Sequence, residues 1–181
     1  LYLPIILMVI ALIFRGVAFE FRFKANRTKH LWDQAFIWGS ILGSFFQGVI
    51  LGAYIQGIQT TEGVYTGSGF DWLTPFSVFT GVGVVVLYAT LGCGWLIFKT
   101  ELDLQDKMYS IMPKLIICLL VIFGAVSIYT PLVHEEIAAR WFSQPQIFYF
   151  SPVPILVLLF TLLALRACKR RQQFAPFIYV L

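Results

Sequence analysis

Long apolar runs separated by short polar stretches set the rhythm of the chain. Five runs stand out, roughly Leu1–Phe21, Leu31–Gln56, Pro75–Phe98, Lys114–Leu132 and Pro152–Cys168, and a sixth begins near Phe174. Stretches of roughly 20 apolar residues are long enough to cross a bilayer as helices. The pattern therefore predicts an all-α fold: a polytopic transmembrane helical bundle with about five complete spans and the start of another. Residues 1–181 read as a single transmembrane domain. Thr100–Met112 is short and of mixed polarity, and is expected along the inner interface. No low-complexity segment and no internal repeat is visible.

Composition strengthens this picture. Hydrophobic residues make up 59% of the chain and charged residues only 12%, against about 25% charged in a soluble domain. The mean hydropathy is +0.83. The chain opens at Leu1 inside an apolar run and closes inside another, so it reads as an internal fragment. Leu1–Phe14 lacks the basic leader and small-residue cleavage pattern of a signal peptide.

The net charge of +4 matters less than its placement. Arg22, Lys24, Arg27 and Lys29 fill the first loop. Lys99, Lys107 and Lys114 belong to the third, and Arg166, Lys169, Arg170 and Arg171 to the fifth. The second loop carries only Glu62 and Asp71, and the fourth carries Arg140 beside Glu135 and Glu136. Lys and Arg are enriched in cytoplasmic loops. The first, third and fifth loops are thus expected in the cytoplasm. Aromatic residues gather at the opposite boundary: Tyr65, Phe70, Trp72 and Phe76, then Trp141, Phe142, Phe148, Tyr149 and Phe150, where amphipathic rings suit the headgroup level. No basic face on a soluble fold is available for nucleic acid, so none is expected as a partner; the lipid bilayer is.

Polar groups inside the spans are the candidates for chemistry. Arg15 lies about two turns inside the cytoplasmic end of the first span. A charge there must find a partner, snorkel or draw in water. Glu20 follows it, and Arg22, seven residues on, shares its face. Two readings stand: an interfacial anchor of snorkelling arginines, or an ion-pair lattice facing a partner or conducting protons. On the second span, Asp33, Ser40, Ser44 and Gln47 fall within a narrow arc, and Gly39, Gly43, Gly48 and Gly52 supply small positions. Such a stripe serves close helix contact or lines a hydrated or quinone-facing path. Ser77, Gly81, Gly83, Ala89, Gly92 and Gly94 mark the third span for close packing.

Redox ligands are scarce. His30 and His134 fall in or beside loops on opposite sides, and Met8 is alone at mid-membrane. No haem is expected to be bound by this fragment. Cys93, Cys118 and Cys168 lack a CxxC spacing and read as small packing residues. No phosphate loop, nucleophilic triad or metal cluster appears, so no catalytic or metal-binding residue is assigned.

Several segments resemble a known family. Leu12-Ile13-Phe14-Arg15-Gly16-Val17-Ala18-Phe19-Glu20-Phe21-Arg22 is similar to the third-helix signature of subunit II of cytochrome bd-type quinol oxidases. Trp32-Asp33 through Gly39-Ser40, with Gly48 and Gly52, resembles the family's fourth helix. Gly69-Phe70-Asp71-Trp72-Leu73-Thr74-Pro75-Phe76 resembles the entry to its fifth. Phe79-Thr80-Gly81-Val82-Gly83 and Gly92-Cys93-Gly94-Trp95-Leu96-Ile97-Phe98-Lys99-Thr100-Glu101 continue that helix. The flavour is closest to the cyanide-insensitive branch.

The resemblance implies a haem-free, eight-helix subunit in the bacterial plasma (inner) membrane. It implies a haem-bearing subunit I as partner, holding haem b and haem d, with quinol as reductant and oxygen as acceptor. Proton uptake from the cytoplasm would make the reaction electrogenic. Subunit II in that family stabilises its partner, can hold a structural quinone and contributes to a proton path in some members. The family's first two helices, with their Gly-Phe-Asp and Trp-Asp motifs, have no counterpart here. For Arg15, Glu20, Arg22 and Asp33 the expectation is structural and electrostatic; Ser40, Ser44 and Gln47 are expected on a polar path or helix contact. The alternatives are a secondary transporter or a scaffold subunit of another complex.

Overall fold

A computed structural model describes residues 1–57, 60–61, 64–65, 68–133 and 151–181. In order, the elements are α1 (Tyr2–Lys24), α2 (Lys29–Gln56), β1 (Thr60–Thr61), β2 (Val64–Tyr65), α3 (Pro75–Lys99), α4 (Leu102–Val133), α5 (Pro152–Lys169) and α6 (Ala175–Val180). Five of the helices are long and apolar enough to cross a membrane. The short α6 lies where the sixth run begins. A two-residue antiparallel ladder, Thr60 opposite Tyr65 and Thr61 opposite Val64, occurs in the second loop; the periodicity gave no sign of it, since it spans too few residues.

The main departure from the sequence reading is α4. It begins at Leu102 and runs 32 residues through Pro113. The mixed-polarity segment is therefore the first turns of α4 and not a separate element. At about 1.5 Å per residue the helix is about 48 Å long, well beyond an apolar bilayer core of about 30 Å. Its polar start can lie outside the hydrocarbon while the apolar remainder spans it. Leu102 takes a left-handed backbone (φ 59°), which makes the tight reversal from α3 into α4.

The chain divides into two compact units, residues 1–85 and 86–181. In the first, burial is inverted relative to a soluble protein. The buried residues of α1 are Pro4, Ala11 and Ala18, while Ile6, Ile13, Phe14 and Phe19 stay uncovered by the chain. Small residues inside let helix backbones approach, and bulky apolar ones outside meet lipid or other helices.

α2 uses two glycine pairs on opposite faces. Gly39 and Gly48 are nine residues apart, about half a turn out of phase. A Cβ at Gly39 would lie 2.8 Å from the Ala11 carbonyl oxygen of α1 and 3.0 Å from the Arg15 nitrogen. At Gly48 it would lie 2.7 Å from the Thr80 carbonyl oxygen, and at Gly52 2.7 Å from the Ser77 Cα, both on α3. The obstacles are backbone atoms, so no rotamer change relieves them. One helix thereby packs closely against α1 near its start and against α3 near its end.

The second unit centres on Cys93, Ile97, Tyr109, Met112, Ile116, Ala164 and Cys168. Phe174 and Phe177, around the start of α6, pack on Phe98 and Trp95. α5 ends in a Schellman-type turn, with Arg171 N–H donating to Cys168 O (3.1 Å) and Gln172 N–H to Ala167 O (3.1 Å). Such a turn needs a left-handed residue after the cap, and Arg171 supplies it at φ 50°.

A polar seam between α1 and α2 as the candidate functional site

Three of the candidate residues, Arg15, Arg22 and Asp33, meet at the α1–α2 seam. Ala11 and Ala18 are buried on the α1 face that meets α2, and Arg15 sits between them, four residues after one and three before the other. Its guanidinium lies 5.6 Å from the centroid of the Phe36 ring. Further toward the basic loop, Phe21 stacks on Trp32 with ring centroids 5.1 Å apart. Beyond them the Arg22 Nε donates to the Asp33 carboxylate. The seam thus reads, from mid-helix to loop, Leu12 on Gly43, Arg15 on Gly39 and Phe36, Phe21 on Trp32, and Arg22 on Asp33.

Charge pairing along this seam is selective. Glu20 takes Lys24, one helical turn on, at 3.4 Å. Asp33 takes Arg22. The Glu20–Lys24 pair is largely exposed and the Arg22–Asp33 pair about half exposed, and solvent-accessible pairs contribute little stability. Arg15 pairs with no carboxylate among the described residues, although it is the basic residue furthest from the loop. Arg15 and Arg22 share a face, as their spacing predicts, yet one meets a ring and the other an acid.

The stripe on α2 is only partly a contact surface. The Ser40 hydroxyl donates to Phe36 O (2.8 Å) and the Ser44 hydroxyl to Ser40 O (2.9 Å). Serines that bond back to their own helix satisfy their donors without a partner helix, and their oxygens remain able to accept. Ser40 and Ser44 are half-buried, and Gln47 is exposed.

At the far end of α2 the entry to α3 is a built cap. Thr74 Oγ1 accepts the Ser77 N–H (3.1 Å), and Ser77 Oγ accepts the Thr74 N–H (3.1 Å). This reciprocal pair is a capping box, with Pro75 at the first helical position. The Thr74 hydroxyl donates to the Gln56 side chain, tying α2 to the cap. Asp71 accepts the Ser68 N–H (2.7 Å), and the Trp72 indole donates to Gly69 O (2.9 Å). The Gly69–Phe76 motif is thus a self-bonded turn leading into a helix. Thr-Pro-x-Ser before an apolar run signals that cap; the bond to Gln56 joins residues 18 apart and has no local signal.

In the second unit Asp106 pairs with Arg171 at 2.9 Å. The Tyr109 hydroxyl is buried without a hydrogen-bond partner among the described residues. Cys93 Sγ lies 3.8 Å from Met108 Sδ. Cys93 and Cys168 share the buried core, whereas Cys118 is exposed. A cavity of about 230 Å³ lies among α4, α5 and α6, walled by Ile116, Leu120, Phe123, Phe160 and Tyr179. Its lining is mostly apolar, with Tyr179 and Thr161 as its polar side chains; the Thr161 hydroxyl donates to Val157 O. Among the described residues no group of three or more His, Cys, Asp or Glu side chains is arranged to hold a metal ion. His30 is exposed at the start of α2. His134, Arg140, Glu135, Glu136, Glu62 and the aromatic residues from Trp141 to Phe150 lie outside the described residues, as does the Tyr65 side chain.

Comparison with known proteins agrees with the resemblance in these segments. The family described as cytochrome bd terminal oxidase subunit II matches residues 1–181. The probable cytochrome oxidase subunit 2 of Haemophilus influenzae is 29% identical over 119 residues, 61% of this chain and 31% of that protein. The cytochrome bd ubiquinol oxidase subunit 2 of Bacillus subtilis is 28% identical over 134 residues, 71% of this chain and 40% of its own length. The cytochrome bd-I ubiquinol oxidase subunit 2 of Escherichia coli K12 is 31% identical over 121 residues, 59% and 30%. The chain therefore spans less than half the length of these relatives. With its five membrane-length helices and its match over every residue, the chain is a multi-pass protein of the bacterial plasma membrane and belongs to the cytochrome bd terminal oxidase subunit II family.

Proposed function

We propose that this chain is the membrane core of a haem-free subunit of a cytochrome bd-type quinol:oxygen oxidoreductase of the aerobic respiratory chain. Its partner is subunit I, which carries haem b and haem d; quinol is the reductant, oxygen is reduced to water, and proton uptake from the cytoplasm makes the reaction electrogenic. The subunit's work is to assemble and stabilise that partner. The family match over residues 1–181 carries this reading. The geometry supports it: α1 and α2 bury small residues, leave large apolar ones uncovered, and keep Arg15, the basic residue furthest from the loop, off every described carboxylate. A guanidinium at membrane depth needs a partner or water, and we assign it an electrostatic role at a contact with a neighbouring helix. Ser40, Ser44 and Gln47 present accepting oxygens along α2, which suits proton or quinone access in the assembled complex. A structural quinone in the subunit is part of the same proposal. The family match leaves the transporter and unrelated-scaffold readings without support.

The test is purification of the complex through a tag on the full-length subunit, followed by a reduced-minus-oxidised spectrum and a quinol oxidase assay. Co-purifying b- and d-type haem bands with oxygen consumption are expected. Those bands are expected to persist when His30 and His134 are both changed to Ala. A tagged subunit that brings down no haem protein, or a haem band lost with the two histidines while assembly is normal, overturns the proposal.

A further inference from the structure

We propose that Phe36 and Gly39 are positioning residues that together seat Arg15, holding its guanidinium along α2 and turned toward a neighbouring helix. The inference rests on the electrostatic role proposed above for Arg15 and adds what enforces its geometry. Three observations carry it. Arg15 stands on the α1 face that packs against α2, between the buried Ala11 and Ala18. Gly39 faces it, and a Cβ there would come within 3.0 Å of the Arg15 nitrogen and 3.1 Å of its Cβ. The backbone carrying Arg15 is therefore as close to α2 as a glycine allows. Phe36, one helical turn before Gly39 toward the loop, then places its ring 5.6 Å from the guanidinium carbon.

A guanidinium is planar and weakly hydrated, so it stacks on an aromatic face where an ammonium is less well matched. The ring's negative face attracts the cation, most strongly away from water. Both acids near this end of α1 and α2 are occupied, Glu20 by Lys24 and Asp33 by Arg22. Arg22 lies seven residues closer to the loop, about 10 Å along the axis. The ring is the local group that holds Arg15, and the seat restricts the rotamers from which its charge can be offered.

The experiment uses the full-length subunit in its assembled complex and reads haem content per unit of tagged subunit. Single variants Arg15→Ala, Phe36→Leu, Phe36→Tyr and Gly39→Ala are compared with the double variant Arg15→Ala/Phe36→Leu. Expected are reduced haem content in Phe36→Leu and Gly39→Ala, recovery in Phe36→Tyr, and no further loss in the double variant beyond Arg15→Ala. Non-additivity identifies residues acting through one another. Low content in Arg15→Ala with normal content in Phe36→Leu overturns the seat and leaves the role of Arg15 standing. Additive losses in the double variant reduce Phe36 to packing and also overturn the seat. Normal content in Arg15→Ala overturns the role of Arg15 itself, and the seat with it.

Discussion

Arg15 shows how much one side chain can depend on its neighbours. Its position within an apolar span marks it as costly, and that is visible in the residue order alone. Which of two readings holds depends on what surrounds it. The four basic residues of the first loop already anchor that end of the hairpin, and a fifth anchor deeper in the span is superfluous. If its charge meets an acid at a buried contact in the complex, truncation strands that acid at a cost of roughly 3–5 kcal/mol. Lys cannot reproduce a bidentate planar fork. Arg15→Ala is expected to lower the yield of haem-loaded complex and Arg15→Lys to restore it only in part, measured as haem absorbance per milligram of membrane protein. Full restoration by Lys, with near-normal content in Arg15→Ala, returns the residue to a snorkelling anchor.

Among the helices, α2 is the element through which the first unit is organised. Its glycines sort by face: Gly39 admits α1, Gly48 and Gly52 admit α3. The capping box fixes where α3 begins, and Ser77, which completes it, is also the residue whose Cα stands against Gly52. The two features can be separated. Ser77→Ala keeps the small volume and removes the return half of the capping box, the bond from the Thr74 N–H to Ser77 Oγ, while Thr74 Oγ1 still accepts the N–H of residue 77; one lost hydrogen bond costs about 1 kcal/mol. Gly52→Ala keeps the cap and drives a methyl group into the Ser77 backbone, where strain from overpacking costs about 1–3 kcal/mol or more. Thermal loss of the haem bands from the detergent-solubilised complex is expected to occur slightly earlier in Ser77→Ala and much earlier in Gly52→Ala. The reverse order would mean that α2 and α3 have slack between them that the structure does not show.

Taken as a whole molecule, the chain is arranged by the alternation of basic and acidic loops. Eleven of thirteen basic residues belong to the first, third and fifth loops or their flanks, and the observed helices leave that alternation intact. Extending α4 back to Leu102 moves Lys107 from a loop onto the helix and Lys114 from the start of the span to its interior, but both stay toward its basic end. Cysteine introduced at Ser68 is expected to react with an impermeant thiol reagent in intact cells. One introduced at Lys107 is expected to react only after the membrane is opened. Labelling of both from the same side would contradict the assigned topology.

Span number, span limits and loop charge were legible in the residues because each depends on local hydrophobicity summed over a window. The limits of α1, α2, α3 and α5 fall within three residues of those expected, and the family signature is likewise local. Pairings were not legible. That Arg22 meets Asp33 while Arg15 meets Phe36 depends on the register of two antiparallel helices, and that register is set by Gly39 and Gly43 against Ala11 and Leu12. The continuity of α4 through Pro113, the tie between Thr74 and Gln56, and the pair between Asp106 and Arg171 are of the same kind. Each joins or extends elements by contacts distant in sequence or by packing that outweighs a local breaker. Composition therefore determined that the chain lives in a membrane and which five of its described helices are long and apolar enough to cross it. Only the tertiary structure decided which polar groups satisfy one another and that Arg15 meets a ring while Arg22 meets an acid, because that depends on helix register and not on the residues of any one span.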